Sequence, residues 1–306
     1  MQPLNILLLG ATGQLGHLLN TELLTLGQVR ALSRHEADMC KPEALLQSLK
    51  TNTHFFVPDV IVNASAYTAV DKAETELEQA TAINATSVGV LAEFAESVNA
   101  VLIHYSTDYV FDGSGCLAWK ESDQPSPMSE YGRSKFLGEQ EVRKHCHKYL
   151  ILRTSWVVGT HGGNFLKTML RLASERDSLR VVADQIGAPT STKLLAEVTI
   201  RLLNAMKEAS SNDVRWGTYH VVSEGVTTWH QYAKYVVEGA LRRKAQLKAT
   251  PENVLPILTV DYPLPAPRPL NSRLSTEKLK HTFGLQLPTW QQGVDEILDE
   301  LIREQA

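Results

Sequence analysis

The chain has 306 residues, of which 43% are hydrophobic and 21% charged, so it can bury a large core. Its formal net charge is -4, with Lys and Arg scattered along the chain, which argues against a nucleic-acid-binding surface. No segment approaches the roughly eighteen apolar residues that a membrane span needs, and no basic leader precedes the first apolar run. We therefore expect a cytoplasmic protein without nucleic-acid or membrane partners.

Short apolar runs alternate with helical patterns through the first half of the chain. The predicted strands cover residues 5–9, 29–32, 57–64, 101–105 and 149–153, and the predicted helices cover 15–26, 42–50, 76–99 and 134–144. Strands that alternate with helices of this length are typical of a parallel, doubly wound sheet. The fold class is therefore predicted to be α/β, of the Rossmann type.

Beyond about residue 160 the alternation becomes irregular. Helices are predicted at 194–206, 229–241 and 290–302 and a strand at 219–222, while five prolines between 256 and 269 predict a loop. We expect a dinucleotide-binding domain at 1–160, to which later segments return, and a smaller, mainly substrate-binding lobe at 161–306.

Three cysteines, Cys40, Cys116 and Cys146, are widely spaced and form no CxxC pair. Neither a disulfide framework nor a structural zinc site is expected from that pattern.

A glycine-rich turn follows the first predicted strand and opens the first predicted helix. Gly10, Gly13 and Gly16 have GxxGxxG spacing. Glycines let the backbone approach a pyrophosphate, which then lies at the positive end of the helix dipole. Because the strand and helix context is present, we predict that this turn binds a dinucleotide, although a tight turn of purely structural importance would have the same pattern.

The end of the second predicted strand bears on the choice between NAD and NADP. An acid there binds the ribose hydroxyls of NAD, whereas a cation accommodates the 2′-phosphate of NADP. This chain has Arg34 and no acid at the strand end, which favours NADPH, with NADH possible. Asp38 is expected to meet the adenine edge; the alternative for Arg34 is a solvated loop residue.

Tyr131 and Lys135 form a YxxxK motif that places both side chains on one helix face about one turn apart. A lysine ammonium there is expected to lower the pKa of the tyrosine phenol, which would suit it to exchange a proton with a carbonyl oxygen. Ser106 and Thr107 directly follow an earlier predicted strand, and we expect their hydroxyls to orient the same carbonyl. The order of glycine turn, hydroxyl residues and YxxxK indicates redox chemistry on a carbonyl or an alcohol.

Taken together, these motifs resemble those of the extended short-chain dehydrogenase/reductase family, and more closely those of the dTDP-4-dehydrorhamnose reductases. The resemblance covers nearly the whole chain. The matching blocks are GATGQLG (10–16), PDVIVNASAYTAVDKAE (58–74), HYSTDYVFDG (104–113), YGRSKFLGE (131–139), RTSWVVG (153–159), NFLKTMLRLA (164–173), DQIGAPT (184–190), TTWHQYA (227–233) and RPLNSRL (268–274).

The resemblance implies reduction of the C4 keto group of dTDP-4-dehydro-L-rhamnose, with hydride from NAD(P)H and a proton from Tyr131. It implies a precursor of cell-surface polysaccharide as the product. The implied catalytic residues are Tyr131, Lys135 and Thr107. The expected cofactor-binding residues are Gly10, Gly13, Gln14, Leu15, Gly16, Arg34, Asp38, Met39, Ser65, Ala66, Tyr67, Tyr105 and Lys135. The implied substrate-binding residues are Thr107, Asp108, Tyr131 and Trp156, the last as an apolar platform for a sugar face or, alternatively, as a core residue.

One departure from the family concerns magnesium. Some members dimerise through a magnesium ion bound by carboxylates, but the matching positions here are Leu18, Lys193 and Gln291. None is an anionic oxygen ligand, so we predict no metal site and either a monomer or a dimer without bridging magnesium.

Other functions share these motifs. A nucleotide-sugar epimerase or another nucleotide-sugar reductase would have the same glycine turn and YxxxK, whereas a 4,6-dehydratase would carry two acids after the active-site threonine and this chain has Asp108 followed by Tyr109. A noncatalytic regulatory subunit, of the kind that partners methionine adenosyltransferase, is the alternative from a different functional class.

Overall fold

Six parallel strands form the central sheet of the computed structural model, which describes residues 3–303. The first elements are β1 (Leu4–Leu9), α1 (Gln14–Glu22), β2 (Gly27–Leu32), α2 (Pro42–Asn52), β3 (Val60–Asn63), α3 (Val70–Ala73), α4 (Leu77–Thr81), α5 (Ser87–Ser97), β4 (Val101–Thr107), α6 (Glu130–His145) and β5 (Tyr149–Thr154). The remaining elements are β6 (Val157–Val158), α7 (Phe165–Glu175), β7 (Leu179–Val182), β8 (Ile186–Gly187), β9 (Thr190–Ser191), α8 (Thr192–Met206), β10 (Gly217–His220), β11 (Thr227–Thr228), α9 (Trp229–Arg242), β12 (Val254–Ile257), α10 (Glu277–Phe283) and α11 (Trp290–Arg303).

The strand order of the central sheet is β10-β5-β4-β3-β1-β2, which confirms the predicted α/β class. The chain passes from β1 outward to β2 and then returns to β3 on the other side of β1. In an open parallel sheet, ligands bind at the carboxyl ends of the strands where the order reverses in this way. The topology therefore directs attention to the edge formed by the ends of β1, β3 and β4.

Both faces of the sheet are covered by helices, because successive strand residues point to opposite sides. Ile6 and Leu8 of β1 lie in one buried cluster with residues of α1 and α8. Leu7 and Leu9 lie in a second cluster with residues of α2 and α5. A third apolar cluster joins α7, α9 and α11 outside the sheet.

The segment predicted as one helix over residues 76–99 is interrupted. A π-helical turn, Ala82–Thr86, separates α4 from α5. Such a turn inserts an extra residue into the helical repeat and is frequent at functional sites. Here its buried Asn84 points toward α6, as described below.

Segments after residue 160 lie in both parts of the molecule. The strand β10 pairs with β5 in the central sheet, and α8 packs on the sheet beside α1. The proline-rich span predicted as a loop begins within β12, which pairs in parallel with β7. This pair stands alone as a two-stranded sheet, and an edge strand tolerates Pro256 because it does not need every N–H for pairing. The helix α7, which our pattern analysis did not identify, begins at the side-chain cap Asn164, whose Oδ1 accepts from the Lys167 N–H at 3.1 Å.

Across residues 3–303, none of the helices combines the length and the apolar character that crossing a bilayer would require.

Candidate active site

The glycine turn packs against the end of β3 more closely than any side chain would allow. Gly10 has a left-handed φ of 82°, and a Cβ added there would lie 2.6 Å from the carbonyl carbon of Ala64. A Cβ at Gly16 would lie 2.0 Å from the carbonyl oxygen of Gly10. Helix α1 begins after Gly13 without a side-chain cap, so its first N–H groups face the turn unpaired by side chains. This arrangement fits a pyrophosphate at the start of α1.

A segment of the C-terminal half lies over the glycine turn. The Gln14 Oε1 accepts a hydrogen bond from Asn164 Nδ2 at 3.0 Å, and the His161 Nε2 lies 3.2 Å from the carbonyl oxygen of Thr12. Leu15 packs against the core cluster on the α1 side of the sheet. Gln14 therefore links the turn to the lobe through its side chain.

The predicted adenosine-side residues follow β2. Arg34 is exposed, and its guanidinium lies 3.6 Å from the Asp38 carboxylate. Asp38 also accepts from the Cys40 N–H at 3.0 Å, so its carboxylate is engaged within this loop. The Met39 side chain is buried in the core, and its carbonyl oxygen accepts from the Ser87 hydroxyl, so neither of these groups faces a ligand.

The Asn84 side chain fixes the segment after β3 by hydrogen bonds to its backbone. The Asn84 Oδ1 accepts from the Tyr67 N–H at 2.8 Å, and its Nδ2 donates to the Tyr67 carbonyl at 3.0 Å and to the Ser134 hydroxyl at 3.0 Å. The backbone of Ala64 and Ser65 lies directly beside Gly10, and Ala66 follows it in the chain. Pattern analysis did not identify Asn84; an asparagine inside a helical stretch was the available signal.

Thr107, Asp108 and Tyr131 meet at the carboxyl end of β4. The Thr107 hydroxyl donates to Asp108 Oδ1 at 3.1 Å and lies beside the Tyr131 phenol. Ser272, which the sequence did not point to, lies near the Asp108 carboxylate and opposes the rise of its pKa. Among the described residues, Asp108 Oδ2 is one of the buried oxygens without a hydrogen-bond partner.

The pKa of the Tyr131 phenol is raised to about 12, opposite to the direction expected from the YxxxK spacing. Burial is the main cause, the hydrogen bond from Thr107 opposes it, and the negative charge of Asp108 adds to it. Lys135 does not offset these effects because its ammonium is turned toward the carbonyl of Tyr105, at 2.7 Å. A pKa this high keeps the Tyr131 phenol protonated near neutral pH, so it can donate a hydrogen bond. The pKa of Asp108 is raised to about 6, mainly by burial.

Two other hydroxyls on β4 lie elsewhere than expected. Ser106 donates to Glu139 Oε1 at 2.6 Å and does not face Tyr131, because neighbouring strand residues point to opposite faces. The Tyr105 phenol is buried in the core and lies 2.6 Å from the Thr199 hydroxyl, so this side chain is not directed toward the site. What Tyr105 contributes to the site is its carbonyl oxygen.

Beneath the site lies a buried ion network centred on Glu139, which the sequence analysis did not identify. Its carboxylate accepts from Arg153 Nε at 2.8 Å and Nη2 at 2.7 Å, and from Arg143 Nη2 at 2.7 Å. Glu139 follows Lys135 by one helical turn, a spacing that could have pointed to it.

Trp156 occupies the edge of the site with a strained backbone. Its φ is 47°, and its indole stacks on Trp229 with ring centroids 3.7 Å apart. A Cβ added at Gly187 would lie 2.7 Å from the Trp156 indole, so the indole also packs closely against this glycine. The expected sugar platform is therefore itself packed against Trp229.

Comparisons with known proteins agree with this geometry. The model of the family described as the RmlD substrate binding domain matches residues 4–303. The dTDP-4-dehydrorhamnose reductase of Shigella flexneri is 48% identical over 307 residues, which cover 99% of this chain and 100% of that protein, and the enzyme of Escherichia coli K12 is 47% identical over the same shares. The crystal structure of dTDP-4-dehydrorhamnose reductase from Bacillus anthracis in complex with NADP has a TM-score of 0.88 and 35% identity, covering 98% of this chain and 100% of that one.

Proposed function

The chain belongs to the dTDP-4-dehydrorhamnose reductase family, and from that membership we propose that it reduces the C4 keto group of dTDP-4-dehydro-L-rhamnose to dTDP-L-rhamnose with a nicotinamide cofactor. The observation that carries the proposal is the buried Tyr131 phenol beside Thr107 and Asp108 at the end of β4, the same sheet edge as the glycine turn. Lys135 lies one helical turn further along α6.

The residues divide the work between binding and proton transfer. Gly10, Gly13 and Gly16 would hold the pyrophosphate, and the backbone at Ser65 and Ala66 would border the cofactor. The bound cofactor supplies hydride. Thr107 and Tyr131 would donate hydrogen bonds to the substrate carbonyl oxygen, and Tyr131 would pass its proton to that oxygen as charge develops there.

Asp108 and Trp156 would orient the sugar. The unpartnered Oδ2 of Asp108 is a free acceptor for a sugar hydroxyl, and an unpaired buried carboxylate oxygen is otherwise unfavourable. Trp156, held by Trp229, would present an apolar surface to a sugar face. Cofactor and sugar would thus meet at the ends of β1, β3 and β4.

The direct test is oxidation of NADPH, followed by absorbance, with enzymatically prepared dTDP-4-dehydro-L-rhamnose. We expect turnover by the wild type, about 10²–10⁴ times less by Tyr131→Phe, and an unchanged rate for the control Tyr235→Phe. The Tyr235 hydroxyl bonds to Asp295, between α9 and α11, away from the site. Cofactor binding without net oxidation would instead favour an epimerase, and equal rates in all three proteins would refute the role of Tyr131.

Arg34 is proposed to favour NADPH over NADH. Its exposed guanidinium lies 3.6 Å from Asp38 and donates to Cys40 Sγ at 3.2 Å, and on releasing these loop contacts it can form a bidentate contact with a 2′-phosphate. We expect Arg34→Ala to lower kcat/KM for NADPH about tenfold and to change kcat/KM for NADH little, since tenfold corresponds to about 1.4 kcal/mol. An unchanged ratio of the two would refute this role.

The protein is further proposed to be a monomer or a dimer that does not depend on magnesium. The Lys193 ammonium lies 3.0 Å from the Glu296 carboxylate, and the negative charges of Glu197 and Glu300 also attract it. A cationic side chain therefore already lies among these carboxylates. Within residues 3–303, no group of three or more His, Cys, Asp and Glu side chains is arranged to hold a metal. Light scattering should give the same mass with magnesium and with a chelator; a chelator-sensitive mass would overturn the proposal.

A further inference from the structure

A fully buried histidine touches the active-site lysine and has no place in the mechanism above. His104 lies in β4 with no exposed surface. Its Nδ1 lies 3.1 Å from Asn63 Nδ2, and its Nε2 lies 3.3 Å from Lys135 Nζ. Both ring nitrogens therefore have one defined neighbour each.

The orientation of Asn63 determines which nitrogen of His104 carries the proton. The Asn63 Oδ1 accepts the Ser65 N–H at 3.1 Å, which turns the amide NH₂ toward His104. An NH₂ group donates, so Nδ1 must accept. A neutral imidazole has one donor and one acceptor, so the proton lies on Nε2 and points at Lys135.

An ammonium group has only donors and cannot accept from this N–H, whereas a neutral amine can. The Lys135 Nζ donates to the Tyr105 carbonyl at 2.7 Å, and a neutral amine satisfies both contacts at once. The charged group that opposes neutralisation is Glu139 on the same helix, whose carboxylate is shared with two arginines; Asn63 on β3 is uncharged. In agreement, the pKa of Lys135 is lowered to about 8 by burial, against the charge of Glu139.

We propose that Asn63 and His104 form a tautomer lock, in which the Nε2–H of His104 holds Lys135 close to its neutral form. Both are positioning residues that act through Lys135. The inference rests on the proposed function, because it matters for turnover only if Lys135 supports proton transfer by Tyr131. A lysine that titrates near the working pH can release and regain a proton in each cycle, whereas an ordinary lysine stays charged.

Nitrogen NMR of the wild-type protein labelled with ¹⁵N-histidine tests the lock without any measurement of activity. The long-range spectrum distinguishes the two neutral tautomers and the imidazolium, and His104→Phe assigns the signal. We expect a neutral ring protonated on Nε2 between about pH 5 and 9, because Asn63 fixes the tautomer and burial holds the pKa of His104 well below its usual range. A proton on Nδ1, or an imidazolium, would overturn the proposal.

Asn63→Asp tests the consequence for Lys135. The carboxylate keeps an oxygen for the Ser65 N–H but now accepts from His104 Nδ1, so Nε2 becomes an acceptor for the lysine ammonium. We expect kcat/KM for the sugar to fall with rising pH near 8 in the wild type. In Asn63→Asp this fall should shift upward by about one pH unit or more.

The matched control is the same change in a His104→Phe background, where the upward shift should disappear. A shift of equal size there would mean that the new carboxylate acts directly on Lys135, and an unchanged pH profile in Asn63→Asp would also contradict the lock. If Asn63→Asp does not fold, the NMR spectra of the wild type and of His104→Phe decide. Inactive wild type with the expected tautomer would contradict the proposed function and leave the lock standing.

Discussion

Replacing Glu139 with glutamine is expected to destabilise the fold by about 3–5 kcal/mol, the usual loss when one partner of a buried ion pair is removed. The Glu139 carboxylate is fully buried and accepts four hydrogen bonds, from Ser106, Arg143 and twice from Arg153. Glutamine keeps one acceptor oxygen and turns an NH₂ group toward a guanidinium. Because Arg153 is only 1% exposed, water cannot replace the lost carboxylate oxygen.

Urea unfolding followed by circular dichroism measures this loss as a lower midpoint at an unchanged slope. The matched control is Glu175→Gln, which removes the acid of an i,i+4 pair with Arg171 at the surface and is expected to change stability by at most about 1 kcal/mol. Equal effects of the two substitutions would refute the reasoning, because burial is the property that separates the two pairs.

The same substitution should alter the pH dependence of stability. Burial by itself would raise the pKa of Glu139, but the hydrogen bonds and charges of Arg153 and Arg143 outweigh it, so the pKa is lowered from 4.5. A lowered pKa in the folded state adds stability that is fully present above 4.5 and is lost as the pH falls through the folded value. In Glu139→Gln the free energy of unfolding should therefore decrease less as the pH falls below 4.5 than it does in the wild type. An identical decrease in both proteins would contradict a lowered pKa for Glu139.

Three further predictions concern the site itself. Tyr131→Phe should leave the Kd for NADPH, measured by fluorescence titration, within about twofold of the wild type, since the phenol is assigned to proton transfer and not to cofactor binding. Gly16→Ala should destabilise the fold by about 1–3 kcal/mol and weaken NADPH binding, because the new Cβ would lie 2.0 Å from a backbone oxygen, whereas Gly163→Ala, with no atom within 4 Å, should do neither. Because burial raises the pKa of Asp108 to about 6, kcat/KM should fall in the wild type as the pH drops below about 6, and this limb should be missing in Asp108→Asn.

Local patterns were sufficient for the glycine turn and for the YxxxK helix. Gly10 needs its positive φ within a turn of a few residues, and Tyr131 and Lys135 share a face because of the helical period alone. Continuous apolar runs likewise indicated buried parallel strands, so the fold class followed from sequence. These features depend on interactions between residues close together in the chain.

The direction of side chains within the site depended on tertiary contacts. Alternation along β4 separates Ser106 from Thr107, but only the packing of α6 shows that Ser106 meets Glu139. The same packing directs Lys135 to the Tyr105 carbonyl, so burial raises the pKa of Tyr131 where the spacing alone predicted a decrease.

What the sequence by itself determined was the order of elements, the dinucleotide turn and the pairing of tyrosine with lysine, because each is set by spacing along the chain. The protonation of the buried groups at the site was decided by the tertiary structure alone. Asn63 and His104 are 41 residues apart, and His104 and Lys135 are 31 residues apart. Desolvation and hydrogen bonds between such distant residues exist only once the sheet and α6 have packed, and they decide which groups of this site hold a proton.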